Sequence, residues 1–221
     1  SQPLESLEIA GRVISLVPVS RVMAMFSRET TQVFEGEKAA HAAIALQKRA
    51  NHVLITDAAH KPVKVVSQSD IVHFLSTRWP DQMKDLTLAS CGFGQSDVIT
   101  ITESGTVLTA LSKLSVTGVS ALAVVDANGK LKGNFSATDL VGLYSTGNPE
   151  LNLTVAEFLT KYSPKSLTPV LENPNASVLA NINTLVSNKV HHAWSVDGEG
   201  KPSGLVSMTD IVELALNWTP Q

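Results

Sequence analysis

Apolar and polar positions follow one pattern that recurs three times along the chain. In the middle stretch, residues 98–102 are short and β-branched, which predicts a strand, and apolar residues at helical spacing predict a helix over about 104–116. The apolar run Ala121–Val125 and residues 131–135 predict two more strands around a turn, and a second helix is predicted from Ser136 towards Tyr144. The order strand, helix, strand, strand, helix predicts a mixed α/β (α+β) fold.

Two sequence features, used below as landmarks, recur at the same spacing and establish the repeat. The first is a Ser-x-Ser/Thr-Asp motif at 67–70, 136–139 and 207–210, and the second is an Asp that closes an apolar run, at 57, 126 and 197. Both series have spacings of 69 and 71 residues. Internal similarity at a fixed period is typical of repeat architectures. The sequence therefore predicts a lead-in segment, 1–14, and three repeats, at 15–80, 86–146 and 152–217.

The Ser-x-Ser/Thr-Asp motif has two interpretations. In the first, Ser caps the following helix and Asp bonds back to the cap amide. In the second, the carboxylate accepts both hydroxyl protons of a vicinal diol such as ribose, and the hydroxyl before it completes the network. A capping box prefers Glu or Gln to Asp, and a cap does not require the hydroxyl at Ser69, Thr138 or Thr209. These two details favour the ribose interpretation without excluding the cap.

With this motif in register, the repeats resemble cystathionine-β-synthase (CBS) domains over about residues 15–217. Residues 119–126, 189–197 and 204–211 are similar to the γ regulatory subunits of AMP-activated (SNF1-related) protein kinases. The resemblance implies tandem CBS repeats that pair into Bateman modules and bind AMP, ADP or ATP in the clefts between repeats. It also implies kinase catalytic and scaffold subunits as partners, with a homodimer through the repeats as another arrangement.

The resemblance also implies which side chains bind the nucleotide. Ribose is expected at Asp210, assisted by Thr209 and Ser207, and the second repeat offers the same three positions. Adenine is expected between small and β-branched residues of the second repeat, and phosphate at a basic pair before the buried strand of the third. The pair lacks the Arg of the γ subunits, which lowers the expected phosphate affinity. The full set is Asp210, Thr209, Ser207, Val98, Ile99, Val119, Ser120, His191, His192, Asp139, Thr138 and Ser136.

Composition narrows the function classes. Seventeen Lys and Arg against 20 Asp and Glu give a net charge of −3, which argues against nucleic-acid binding through a broad basic patch. No apolar run reaches the roughly 18 residues of a membrane span. A lone Cys91 excludes an internal disulfide, and we expect no catalytic residues, metal site or cofactor. The first residues show no signal peptide, which predicts a protein of the cytoplasm or nucleus.

Three functions remain open at this point. The chain is a non-catalytic adenine-nucleotide sensor, a CBS scaffold that binds proteins but no nucleotide, or the regulatory part of a larger enzyme or channel. We expect the second and third repeats to pair around a shared cleft. The first repeat is expected to have its pairing face open or covered by residues 1–14 or another chain, and to bind nucleotide weakly or not at all.

Overall fold

The computed structural model describes residues 32–47, 52–94, 97–142 and 149–217. These ranges contain eight strands, six α-helices and several short 3₁₀ helices. The strands are β1 (Gln32–Phe34), β2 (His52–Thr56), β3 (Pro62–Ser67), β4 (Thr100–Thr102), β5 (Ala121–Val125), β6 (Leu131–Ser136), β7 (His192–Val196) and β8 (Pro202–Ser207). The α-helices are α1 (Ala39–Gln47), α2 (Gln68–Thr77), α3 (Val107–Thr117), α4 (Val155–Tyr162), α5 (Val178–Asn188) and α6 (Met208–Asn217). None of the helices in these ranges has the length and apolar character needed to cross a bilayer.

The first and second repeats have the same sheet topology. In the first, β1 lies parallel to β2, which pairs antiparallel with β3, and Val33 lies opposite Ile55. In the second, β4 lies parallel to β5, which pairs antiparallel with β6, and Ile101 lies opposite Val124. The predicted mixed α/β fold and the order strand, helix, strand, strand, helix are confirmed.

The second and third repeats each depart from the pattern in one place. In the third repeat the first strand is reduced to a parallel bridge between Leu171 and Trp194, beside the two-stranded sheet β7–β8. Pro169 and Pro174 flank this bridge and carry no N–H to extend the ladder. In the second repeat, the predicted second helix is a 3₁₀ helix, Ala137–Gly142, and its expected extension to residue 144 lies outside the described residues.

In the first and second repeats, the Asp that closes the apolar run stabilises a hairpin turn. Asp57 Oδ1 accepts hydrogen bonds from the backbone N–H groups two and four residues further on, both at 2.9 Å. Asp126 Oδ1 does the same at 2.9 and 3.0 Å. The turn residue has φ of 79° at Gly129 and 81° at Gly200, but the first repeat places His60 there at 59°. This landmark of the repeat therefore has a structural explanation and needs no ligand.

The described residues fall into two compact units. One comprises 98–142, 149–169 and 198–202 and contains the second repeat. Its core joins β5 and α3 to α4, with Leu122, Phe135 and Phe158 fully buried. The backbone of the segment before α4 pairs with the N-terminus of α3, since Val107 N–H donates to Leu153 O at 3.0 Å and Val155 N–H donates to Gly105 O at 2.8 Å.

The other unit comprises 32–47, 52–94, 97, 170–197 and 203–217, and joins the first and third repeats. Helices α1 and α2 pack against α5 and α6. Val72 of the first repeat lies in one core cluster with Ile182 and Ile211 of the third, and all three are fully buried. The expectation that the first repeat lacks a partner within the chain is wrong, because its helices bury their apolar faces against those of the third repeat. The pairing of the second repeat with the third stays a prediction.

Candidate functional site

In the third repeat, the motif forms a rigid corner between β8 and α6. Asp210 Oδ2 accepts hydrogen bonds from the Ser207 backbone N–H at 2.7 Å and from Ser207 Oγ at 2.8 Å. The Asp210 N–H donates in turn to Ser207 Oγ at 3.3 Å. This reciprocal pair is a capping box in which Asp takes the place of Glu. Among the described residues, the other carboxylate oxygen of Asp210 has no hydrogen-bond partner.

The first repeat builds the same corner between β3 and α2. Asp70 Oδ2 accepts from the Ser67 N–H at 2.8 Å and from Ser67 Oγ at 2.7 Å. The hydroxyl and amide of Ser67 lower the pKa of Asp70. Burial opposes this lowering only in part, and the nearby charges of Lys64 and His52 make smaller contributions that lower the pKa further. Asp70 is exposed, and its Oδ1 likewise has no partner among the described residues. The carboxylate is therefore ionised and held in one orientation, with one oxygen available.

In the second repeat, the Asp of the motif is buried and both of its carboxylate oxygens accept hydrogen bonds from protein groups. Asp139 is 5% exposed, and its Oδ2 accepts from Ser136 N–H and Oγ at 2.7 and 3.0 Å. Its Oδ1 accepts from Ser166 Oγ at 2.5 Å, on the 3₁₀ helix Pro164–Leu167 that also covers β6. A Cβ at Gly133 of β6 would lie 2.8 Å from Ser166 O. Both oxygens of Asp139 are thus committed to protein groups, while Thr138 is exposed.

The hydroxyls that precede Asp in the other two repeats bridge helices α2 and α6. Thr209 Oγ1 lies 3.1 Å from Gln68 Nε2, which also donates to Leu46 O at 3.1 Å. Ser69 Oγ lies 3.4 Å from the sulfur of Met208. These two hydroxyls therefore have a structural role, since they form contacts between α2 and α6. Neither the cap nor the ribose interpretation had included this role. Binding of ribose by Thr209 stays a prediction.

The remaining predicted residues are divided between the two units. In the unit of the second repeat, Ile99 and Val119 pack against the core, Val98 is half-buried and Ser120 is exposed. In the other unit, His191 is exposed and its carbonyl accepts from the Met208 N–H at 2.9 Å. His192 is half-buried, with its ring at the edge of Trp194 and a centroid distance of 5.7 Å.

Glu172 was not identified from the sequence. It is a carboxyl group at a position where β1 and β4 of the other repeats have an apolar residue. Glu172 lies beside Ser195, two positions before Asp197. In the first and second repeats, Val33 and Ile101 lie beside the residues equivalent to Ser195. Two repeats thus place an apolar residue here, and the third places a carboxyl group that is 9% exposed. Its Oε1 accepts from Ser195 Oγ, its Oε2 is buried without a partner, and burial raises its pKa.

Lys64 was also missed. It lies six residues before Asp70, where the other two repeats have Gly133 and Gly204. Aligning the three repeats by their two landmarks would have revealed both Lys64 and Glu172 as departures. The described residues hold no group of three or more His, Cys, Asp or Glu side chains that could bind a metal ion.

Comparison with known proteins supports the division of the chain into repeats. The family model described as the CBS domain matches residues 93–145 and 165–217. The SNF1-related protein kinase regulatory subunit gamma-like PV42a of Arabidopsis thaliana is 31% identical over 171 residues, covering 67% of this chain and 48% of the relative. Protein SDS23 of Kluyveromyces lactis is 32% identical over 142 residues, covering 54% of this chain and 27% of the relative. The chain thus spans about half or less of the curated relatives that it matches.

A solved structure supports the fold. Protein MJ1225 of Methanocaldococcus jannaschii superposes with a TM-score of 0.70 at 17% identity, covering 85% of this chain and 68% of that one. At this identity the superposition shows the fold alone.

Proposed function

Because this chain is a protein of tandem CBS domains, similar to SNF1-related kinase γ-like subunits, we propose that it is a non-catalytic regulatory module that binds adenine nucleotides. We infer that AMP, ADP or ATP binds at Asp210 and that the module serves a protein kinase as its γ-type subunit, with catalytic and scaffold subunits as partners. It acts in the cytoplasm or nucleus. The observation that carries the proposal is the Asp210 carboxylate, held through Oδ2 with its other oxygen uncommitted among the described residues.

Such a carboxylate suits a ribose diol. Two hydrogen bonds from Ser207 fix its orientation before the ligand arrives, so little conformational entropy remains to be lost on binding. The free oxygen accepts a ribose hydroxyl in a charge-assisted hydrogen bond. His191 and His192 at the start of β7 are the proposed phosphate contacts, and their backbone is joined to the same corner through Met208. Adenine binding by Val98, Ile99, Val119 and Ser120, which the resemblance implies, stays a prediction.

Calorimetric titration of AMP, ADP and ATP into the wild-type chain and into Asp210→Asn tests the proposal. The substitution keeps the size of the side chain and part of the cap but removes the charge. We expect nucleotide affinity to fall about tenfold to a hundredfold, since each charge-assisted hydrogen bond contributes roughly 1.5–3 kcal/mol before solvent screening. Unchanged affinity with a lower thermal midpoint would leave Asp210 as a helix cap only.

A scaffold that binds no nucleotide is the second candidate. It is favoured by the hydroxyls of Ser69 and Thr209, which contact Met208 and Gln68 and so have a packing role. It is also favoured by Asp139, whose two oxygens are both bonded to protein groups. Absence of any heat of binding for all three nucleotides at millimolar concentration would select the scaffold. Co-purification with the catalytic and scaffold subunits of the kinase, after co-expression, tests the partner assignment under either function.

A further inference from the structure

A short segment with the pattern Leu-x-aliphatic-Ala, in which the aliphatic residue is Leu, Ile or Val, precedes each of the three repeats. It occurs at residues 7–10, 86–89 and 153–156 and at no other place in the sequence. The first copy lies outside the described residues. In the other two, the aliphatic residue is Leu88 or Val155, and both side chains are fully buried. In these two copies the pattern therefore marks a segment that packs into the fold.

The copy that precedes the third repeat pairs with a turn of the second. Segment 153–156 lies against the turn between β4 and α3. Val107 N–H donates to Leu153 O at 3.0 Å, which satisfies the first amide of α3. At the other end of the pairing, Ala156 N–H donates to Glu103 O at 3.0 Å. The segment is thus bound through main-chain hydrogen bonds, as an added strand is.

The copy that precedes the second repeat, 86–89, pairs with the third repeat in the same way. Val178 N–H, at the start of α5, donates to Leu86 O at 2.8 Å. Ala89 N–H donates to Pro174 O at 2.9 Å. These residues stand at the same positions as those of the other pairing, so the second and third repeats exchange their segments. In each case a segment docks on a repeat other than the one that it precedes.

The corresponding turn of the first repeat, residues 35–39, is exposed throughout. It is equivalent to residues 103–107, because the N–H groups of Glu35 and Glu103 make the same 2.9 Å hydrogen bond to the last residue of the next strand. Ala39 begins α1, and its N–H has no acceptor among the described residues. The equivalent amides of α3 and α5 are those that bind the segments. The first repeat thus presents an open edge with the same hydrogen-bonding groups.

The central residues of the pairing point to the segment that fits this open edge. Thr106 lies opposite Thr154, and the bridge in the third repeat likewise joins two hydroxyl residues. The equivalent positions of the first repeat and of segment 7–10 are Lys38 and Glu8, so both hydroxyls are replaced by opposite charges. Facing residues of opposite charge stabilise paired strands. The open turn and segment 7–10 are therefore complementary to each other.

The sheet of the first repeat also exposes apolar side chains. The exposed fractions are 39% for Phe34, 52% for Val63 and 52% for Val65. The second repeat has polar residues at the equivalent positions, which are Thr102, Lys132 and Asn134. Exposed apolar groups that lie together on one sheet mark an interaction surface. A segment of four residues spans only about 13 Å, so a folded partner is needed to cover both the turn and the sheet.

We propose that the first repeat is a dimerisation surface, on which residues 7–10 of one copy pair with residues 35–39 of a second copy, and reciprocally. A second copy of the first repeat is the equivalent partner, because both described segments dock on a repeat other than their own. Glu8 of one copy faces Lys38 of the other, and Ile9 takes the buried aliphatic position. The same patch meets itself across a two-fold axis, so the pairing forms twice in the dimer.

Charge reversal, measured by sedimentation equilibrium of the 221-residue chain, tests the pairing. Wild type is expected to be a dimer at micromolar concentration. Lys38→Glu and Glu8→Lys should each weaken dimerisation about tenfold, because the dimer contains the charge pair twice. The double variant Lys38→Glu/Glu8→Lys should restore the wild-type affinity. Lys84→Glu, at another exposed lysine of the same unit, is the matched control and should leave dimerisation unchanged.

Cysteine cross-linking identifies which copy supplies the segment. Glu8→Cys and Lys38→Cys are made as separate variants in a Cys91→Ser background and are mixed under mild oxidation. A disulfide-linked heterodimer is expected, because facing positions on paired strands bring their Cβ atoms close together. Either variant alone should form no cross-link, since each cysteine then faces the native Lys38 or Glu8 of the other copy.

Three results would overturn the inference. The first is a wild-type chain that stays monomeric, and the second is a dimer whose affinity neither charge reversal changes. The third is a Glu8→Cys/Lys38→Cys variant that forms its disulfide as a monomer while the mixed single variants form none, because the segment then folds back on its own repeat. Rescue by the charge-swapped double variant separates a lost contact from a lost fold, since two changes that each unfolded the chain would not together restore the dimer.

Discussion

Replacing Glu172 by Gln gives the sharpest test of the packing in the unit that joins the first and third repeats. The carboxyl group is 9% exposed and occupies the position of the core residues Val33 and Ile101. A Cβ at Gly94 would lie 2.5 Å from its Oε1, so the chain passes directly against it. Glu172→Gln keeps the shape of the side chain, and hence this close packing, and removes the ionisation.

The expected effect follows from the direction of the pKa shift. Burial raises the pKa of Glu172, and the hydrogen bond from Ser195 opposes the shift only in part. The folded pKa therefore lies above the unfolded value near 4.5, and folding favours the protonated form. Its contribution to stability is complete below pH 4.5 and is lost as the pH rises through the folded pKa. Above the folded pKa, ionising Glu172 costs less free energy in the unfolded chain than in the folded one.

An orphaned buried polar group costs about 1–3 kcal/mol, and an orphaned charge costs more than a neutral amide. At pH 8 we therefore expect Glu172→Gln to be more stable than wild type by on the order of 1–2 kcal/mol. The advantage should shrink as the pH falls towards 5. Urea unfolding followed by tryptophan fluorescence at pH 5, 6, 7 and 8 measures this, since Trp79 and Trp194 lie in the same unit.

Glu157→Gln is the matched control, with the opposite sign. Its unfolding is followed by far-ultraviolet circular dichroism, because Glu157 lies in the unit of the second repeat whereas Trp79 and Trp194 lie in the other unit. Glu157 is exposed on α4, and hydrogen bonds from the Thr154 hydroxyl and N–H lower its pKa. Its contribution is present above pH 4.5 and is lost as the pH falls, so Glu157→Gln should be slightly less stable than wild type at pH 8. If Glu172→Gln is no more stable than wild type at pH 8, or if the difference does not vary with pH, the reasoning about the buried carboxyl group is refuted.

Three further substitutions test the local physics, each by its urea midpoint. Asp139→Asn should destabilise the second repeat by about 1–3 kcal/mol, since it weakens the buried bond from Ser166; a neutral result would contradict that bond. Gly133→Ala should cost about 1–3 kcal/mol through its clash with the Ser166 carbonyl, whereas Gly36→Ala, with no atom within 4 Å, should be nearly neutral. Lys189→Gly should stabilise by about 1 kcal/mol, because φ is 54° at this helix C-terminus; equal or lower stability would exclude strain there.

The architecture of each repeat could be predicted because it depends on short-range patterns. The run Ala121–Val125 was predicted as a buried strand, and all five of its residues are buried on both faces of the sheet. The helix expected over about 104–116 is Val107–Thr117, since its N-terminus is set by the Thr106 cap. The capping role of the Ser-x-x-Asp motif was also among the predicted alternatives, and Ser67 and Asp70 form that box.

The sequence alone thus indicated the repeat, its turns and its resemblance to CBS domains, and it offered the cap as one of two interpretations, because hydrophobic period and turn chemistry act between residues close along the chain. Only the tertiary structure decided which repeats share a core and which carboxylates remain available. It joined Val72 to Ile182 and Ile211, and it brought Ser166 to Asp139 while it left Asp70 exposed. Such contacts join residues far apart in sequence, and their geometry depends on how complete apolar faces pack, which no local pattern specifies.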